Sequence, residues 1–220
     1  MCIRDRLYGF ELGNYQMIAI QDIFPTPVGV AVNQQASNEE HELLLNLDYH
    51  THPVYNMIVT KDKYVFNTAP NNIKEFITNA LNEYSEKTLG TKQRLRVTQS
   101  WCTKHDGIPQ ETFTHVHQNS IVSGVYYVSA DESNSGITFY KDTTYNDNYI
   151  SWDTDESLKN QYPWNWDWYK FPAKTGTLLL FPSRIKHGVV GGQSNNIRCS
   201  LAFNTWFEGE IVTIDNFTRL

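Results

Sequence analysis

Two histidines one residue apart, His115 and His117, carry the clearest chemical signal in the chain. In a strand, residues i and i+2 project from the same face, so both imidazoles can reach one point and act as a chelating pair. A third ligand must then come from a strand distant in sequence and adjacent in space, and His187, in the run FPSRIKHGVV, stands at such a place. Imidazole nitrogens suit iron, zinc, copper and nickel alike, so spacing alone does not choose the metal. The spacing by itself is also common among ordinary strand histidines. His50 and His52, in YHTHP, share it within a polar, turn-like stretch that has no later partner, and they read as surface residues.

The elements that must position these side chains follow from hydrophobic periodicity. From Met17, the run MIAIQDIFPTPVGVAV has β-branched residues interrupted by Pro25, Pro27 and Gly29, which predicts an edge strand or extended segment ending near Asn33. Ser37, followed by Glu39, Glu40 and the apolar Leu43, Leu44 and Leu47, predicts a short capped helix with acid in its first turn. Between Pro70 and Thr88, Ile73, Phe76, Ile77, Ala80, Leu81 and Tyr84 recur at helical spacing and form a stripe suited to packing on a sheet. After Gly90 the period becomes 2, with strand-like runs at about 95–102, 111–117, 121–129, 136–140, 176–181, 185–190 and 197–207. Gly107, Asn134 with Gly136, Lys174 with Gly176, and Gly191 with Gly192 punctuate these runs as turns would. Together these features predict a mainly β fold, a double-stranded β-helix of the jelly-roll or cupin-like kind, with N-terminal buttressing helices.

Residues 1–16 continue no periodic pattern and read as a leader outside the fold, either non-native or disordered, because MCIRDR resembles the translation of a sequencing-adapter scar. Residues 17–220 read as one domain, interrupted at about 141–172 by an insertion carrying Tyr145, Tyr149, Trp152, Tyr162, Trp164, Trp166, Trp168 and Tyr169. Long loops in compact domains are often functional, and this one either covers an open end of the sandwich or contacts substrate as a lid.

A chain of 220 residues with 40% apolar and 14% aromatic side chains can bury one sizeable core. Its formal net charge of -6 gives no electrostatic reason to bind nucleic acid or an anionic membrane. No apolar stretch approaches the roughly 20 residues that span a bilayer. Cys2, Cys102 and Cys199 make neither a metal-type pair nor an even disulfide framework, which suits a reducing cytoplasm, that of the host if the source is viral. Cys102 and Cys199 read as small buried apolar residues.

The segment from Trp101 to Trp206 resembles the 2-oxoglutarate/Fe(II)-dependent oxygenases of marine bacteria and their viruses, which are distantly similar to prolyl hydroxylases. HVHQNSIVSGVYYV, GTLLLFPSRIKHGV and RCSLAFN look like that family's motifs in order, and IFPTPVG extends the likeness more loosely toward the start. The resemblance implies that His115 begins the metal-binding pair, that His187 is the distal ligand, and that Arg198 pairs with the far carboxylate of 2-oxoglutarate. Iron(II) and 2-oxoglutarate are the implied cofactors, ascorbate a candidate reductant, oxygen the co-substrate, and a small molecule or peptide the substrate.

Residue chemistry agrees with these roles. A planar guanidinium grips a carboxylate through two parallel hydrogen bonds, and a hairpin across Gly191 and Gly192 would aim His187 and Arg198 into one cavity. Ser200, on the same strand face as Arg198, is a candidate second donor. Asn119 and Ser123 are candidates for contacts to substrate, 2-oxoglutarate or a ligand imidazole. Only one of Tyr126 and Tyr127 can face the cavity, and parity with Gly124 selects Tyr126.

This sequence departs from the usual pattern of two histidines and one carboxylate, since His117 stands in the carboxylate position. The alternatives are two histidines with water, or a carboxylate from Asp106 or Glu111. The expected activity is hydroxylation of an unactivated C–H bond with release of succinate and carbon dioxide. Its rivals are a three-histidine iron dioxygenase that does not use 2-oxoglutarate and a non-catalytic jelly-roll binding module.

Overall fold

The computed structural model describes residues 24–53, 57–105, 113–131, 136–141, 155, 157, 161, 163–189, 196–212 and 217–219. An edge strand β1 (Gly29–Val32) leads into helix α1 (Asn38–Leu45). Ser37 caps that helix by accepting from the Glu40 amide, and the Glu40 carboxylate accepts from the Ser37 amide in return. This reciprocal box satisfies two amides that the first turn would otherwise leave open. Strands β2 (Tyr49–Thr51) and β3 (Ile58–Thr60) and helix α2 (Val65–Thr68) follow, then α3 (Asn71–Tyr84), which continues as a π-helical turn over Ser85–Leu89. The apolar stripe read from the sequence is the buried face of α3, where Ile73, Ile77 and Leu81 are almost wholly enclosed. Each contributes roughly 1.5–3 kcal/mol by leaving water.

The rest of the chain is antiparallel sheet: β4 (Leu95–His105), β5 (Val122–Ser129), β6 (Ile137–Tyr140), β7 (Trp168–Lys170), β8 (Thr177–Pro182), β9 (His187–Val189), β10 (Arg198–Phe207), β11 (Glu210–Val212) and β12 (Phe217–Arg219). Seven strands form a large sheet in the order β1-β8-β5-β10-β4-β3-β2, and a small sheet has the order β7-β6-β9. His115 adds one antiparallel bridge to the outer side of β9, through His187. β11 and β12 form a separate ribbon. Two antiparallel sheets wound in this way are a double-stranded β-helix, as the sequence predicts.

The large sheet separates two apolar clusters. On one side, α1 and α3 cover Cys102, Tyr126, Leu178, Leu180, Cys199, Leu201 and Phe203. On the other, between the sheets, lie Tyr127, Ile137, Phe139, Ala173, Leu179 and Phe181. The alternation Leu178 to Phe181, in which neighbours join different clusters, is the period of 2 that one sheet buried on both faces requires. Cys102 and Cys199 are buried, as their strand-like surroundings predict.

Several sequence expectations need correction. β9 and β10 are not a hairpin: β9 pairs with β6 in the small sheet, whereas β10 pairs with β4 and β5 in the large one. His187 and Arg198 therefore lie in different sheets rather than along one hairpin. The run at 111–117 is strand-like only at His115 among its described residues, 113–117. His50 is not in a turn. It lies in β2, half-buried, with Val59 opposite it, and His52 is also partly buried. β7 lies within the aromatic-rich insertion and extends the small sheet, so that part of the insertion is sheet rather than loop. β2, β3, β7 and α2, at three or four residues each, are too short to show a period. The leader 1–16, Met17–Ile23, Cys2, Gly107, Asn134, Gly191, Gly192, and Tyr145, Tyr149, Trp152 and Tyr162 of the insertion lie outside the described residues.

Candidate metal centre and ligand-binding face

His115, His117 and His187 come together, with their ligand-type nitrogens all within 4.8 Å of one another. Ring centroids are 4.5 Å apart for His115 and His187 and 5.0 Å for each of the other two pairs. Backbone bonds hold the two supporting segments in register: His115 and His187 exchange amide–carbonyl bonds of 2.9 and 3.0 Å, and the His117 amide donates to the Ser183 carbonyl at 2.9 Å.

The outer nitrogens fix which way two rings point. His115 Nδ1 lies 2.9 Å from the Phe113 carbonyl oxygen and His187 Nδ1 lies 2.8 Å from that of Ile185. A carbonyl only accepts, so each Nδ1 carries the proton and each Nε2 is left with a lone pair, the tautomer that metal-binding histidines use. His117 Nε2 lies 3.2 Å from His187 Nε2. Two nitrogens bound side by side to one ion at about 2.1 Å would be separated by about 3 Å. Burial, followed by the neighbouring His187 and His115, pushes His117 down to about 3. Burial is also the main cause that lowers His187 to about 4, with His115 acting in the same direction against the Ile185 carbonyl. Both rings are thus neutral donors at ordinary pH, and the set fits a divalent transition ion. Asp106 and Glu111 lie outside the described residues, and among the described ones the cluster contains histidine alone.

The inner face of the large sheet lies beneath these rings, and strand register defines it row by row. His105 stands opposite Arg198; Thr103, Ser200 and Tyr127 form the next row; Trp101, Ala202, Val125 and Leu179 the next; and Gln99, Asn204, Ser123 and Phe181 the last. The histidines lie over the Trp101 and Phe181 end, with ring separations of 5.8 Å from Trp101 to His117 and 4.8 Å from Phe181 to His187. Arg198 is two rows beyond Trp101, about 13 Å along the strand at the usual rise. Arg198 is 5% exposed and Ser200 4%. Burial pulls the guanidinium down from its usual value, partly offset by Tyr127, yet arginine stays protonated in proteins.

Ser123 faces this cavity within a bonded group. Its hydroxyl lies 2.7 Å from the Ser183 hydroxyl and donates to Asn204 Oδ1 at 2.9 Å, and Ser183 donates to Ser120 at 2.7 Å. These bonds tie the turn that holds His117 to β5 and β10. Asn119 is exposed with φ of 54°, a left-handed conformation that asparagine tolerates, so its visible role is in the turn.

Tyr126 is a correction. Its ring is in the helix-side core and its hydroxyl lies 2.8 Å from His41 Nε2. Tyr127 faces the cavity instead, its hydroxyl accepting from the Ile137 amide at 3.1 Å. Gly124 misled the parity choice because it belongs to the helix side, where a Cβ would meet the Phe203 ring at 2.2 Å. Parity with Ser123 selects Tyr127. Trp101 and His105, which the sequence reading did not single out, lie on this same inner face.

The structure is thus a double-stranded β-helix with three clustered imidazoles over one end of its inner face and a buried arginine toward the other. Residues 99–204 match the family described as "Putative 2OG-Fe(II) oxygenase". Solved structures agree in fold. EctD from S. alaskensis with bound Fe is 16% identical, with a TM-score of 0.56 over 82% of this chain and 72% of that one. The non-heme alpha ketoglutarate dependent carbocyclase SnoK from nogalamycin biosynthesis is 11% identical, with a TM-score of 0.55 over 84% and 81%. HygX from Streptomyces hygroscopicus, with nickel and 2-oxoglutarate bound, is 12% identical, with a TM-score of 0.54 over 82% of each chain. No curated protein matches the sequence. The family match favours an enzyme over the non-catalytic jelly-roll module. No helix among the described residues is long and apolar enough to cross a membrane.

Proposed function

We propose that this chain is a 2-oxoglutarate- and Fe(II)-dependent dioxygenase that hydroxylates an unactivated C–H bond of a small molecule or peptide. His115, His117 and His187 hold the iron, and Arg198, assisted by Ser200, holds the distal carboxylate of 2-oxoglutarate. The observation that carries this reading is the placement of three clustered imidazoles and one buried guanidinium on the inner side of the sandwich. When bound, the iron and 2-oxoglutarate supply the oxidising power: one oxygen atom of O2 enters succinate as carbon dioxide leaves, and the other becomes the substrate hydroxyl.

The protein's own share is binding and exclusion. The carbonyls of Phe113 and Ile185 keep two Nε2 lone pairs aimed inward. Phe139, Phe181 and Trp101 put apolar rings beside the imidazoles, which keeps water from the reacting atoms. Arg198, buried on the floor, supplies a positive charge in a low-dielectric setting where it attracts a carboxylate strongly.

Anaerobic titration with iron(II) and then 2-oxoglutarate tests the reading through the visible charge-transfer band of a chelated 2-oxoacid. With oxygen and substrate, succinate should form in step with product. A protein that binds iron and consumes oxygen without the band or succinate would instead be a three-histidine dioxygenase, a reading favoured by the all-histidine cluster.

A further inference from the structure

His105 ends β4 directly opposite Arg198, at the end of the cavity floor away from the histidine cluster. It is 8% exposed, and its Nε2 has no hydrogen-bond partner among the described residues. Buried polar atoms are almost always paired, so an unpaired one beside a ligand face points to a group that arrives from outside. Burial, reinforced by the adjacent Arg198, lowers its basicity to about 3, so the ring is neutral. A neutral imidazole can offer an N–H to an anion without placing a second cation beside the guanidinium.

A carboxylate has about four lone-pair positions, and one guanidinium fork occupies only two. Ser200, two residues along from Arg198 on the same face, can take another. We infer that His105 is a further anchoring residue, whose Nε2–H completes the site for the distal carboxylate and makes it selective for a dicarboxylic 2-oxoacid. This inference rests on the proposed function, because it concerns the co-substrate end of the same cavity. Thr103 separates His105 from the Trp101 row beneath the metal end, so His105 lies too far along the strand to act at the iron.

The test compares 2-oxoglutarate with 2-oxopentanoate, which has the same carbon chain but no distal carboxylate. Each is titrated anaerobically into the iron(II)-loaded protein, with the charge-transfer band as readout and a thermal melt to confirm folding. His105→Leu should weaken 2-oxoglutarate roughly 10- to 100-fold, the value of a hydrogen bond to a charged group. Binding of 2-oxopentanoate should stay unchanged, and His105→Gln, which keeps an N–H donor, should recover much of the loss. If His105→Leu does not fold, His105→Met, which has no donor, carries the same expectation. Unaltered 2-oxoglutarate affinity, or equal weakening of both ligands, would overturn the role of His105 while leaving the proposed function intact. A wild-type protein that binds iron but gives no band with 2-oxoglutarate would overturn both.

Discussion

At the scale of single residues, the centre depends on which nitrogens are free to bind. Nδ1 of His115 and of His187 is already engaged by a carbonyl, leaving one inward lone pair on each ring. His187→Ala should therefore lower iron(II) affinity by more than about 100-fold, since losing merely an outer partner of a ligand costs about 10- to 100-fold. His117→Ala should do the same if that ring is the third ligand. His117→Asp should retain binding, because a carboxylate suits the same ion. Competition against a coloured chelator measures all three; wild-type affinity in His117→Ala would remove that residue from the ligand set. The histidines were legible in the sequence because an i, i+2 pair on an extended segment needs no knowledge of the fold. His105 was not, since its meaning depends on standing opposite Arg198, which only strand register reveals.

At the scale of elements, two inferences failed for one reason: which face a strand buries, and which strand it pairs with, are properties of the whole sheet. Tyr126 and Tyr127 were correctly read as lying on opposite faces, but Gly124 was the wrong marker of the inner one. Likewise, His187 and Arg198 are near in sequence yet sit in different sheets, a placement that local turn signals cannot encode. The helices were more legible, because Ser37 with Glu40 and the stripe through Ile73, Ile77 and Leu81 are local patterns with local causes. Gly124 itself offers a test. Phe203 is 1% exposed, and three of its ring atoms lie within 2.8 Å of where a Cβ at position 124 would stand. Gly124→Ala should therefore destabilise the protein by about 1–3 kcal/mol, the usual cost of overpacking a core. Urea denaturation would show a lower midpoint, and an unchanged midpoint would mean that β5 does not pack on Phe203 as described.

At the scale of the whole molecule, the same burial that makes the cavity useful makes the fold sensitive to acid. The sandwich encloses several imidazoles that are neutral when folded: His105 is lowered to about 3 by burial and then Arg198, and His41, against Tyr126, is also lowered by burial although Glu40 opposes it. In the metal-free protein His117 and His187 add to the set. An unfolded chain protonates its histidines near 6.5, whereas these folded imidazoles protonate only at lower pH. Below 6.5 the unfolded state therefore binds more protons, and folding stability must fall as the solution is acidified. Each such histidine contributes at most about 1.4 kcal/mol per pH unit. Between pH 6.5 and 5, above the range where most carboxylates titrate, the loss attributable to His105 alone is at most about 2 kcal/mol. His105→Gln should remove that share, so urea midpoints measured across this window should decline less steeply in the variant than in the wild type. Parallel slopes would show that His105 is not held neutral in the folded protein, and that the far end of the cavity is wetter than its 8% exposure indicates.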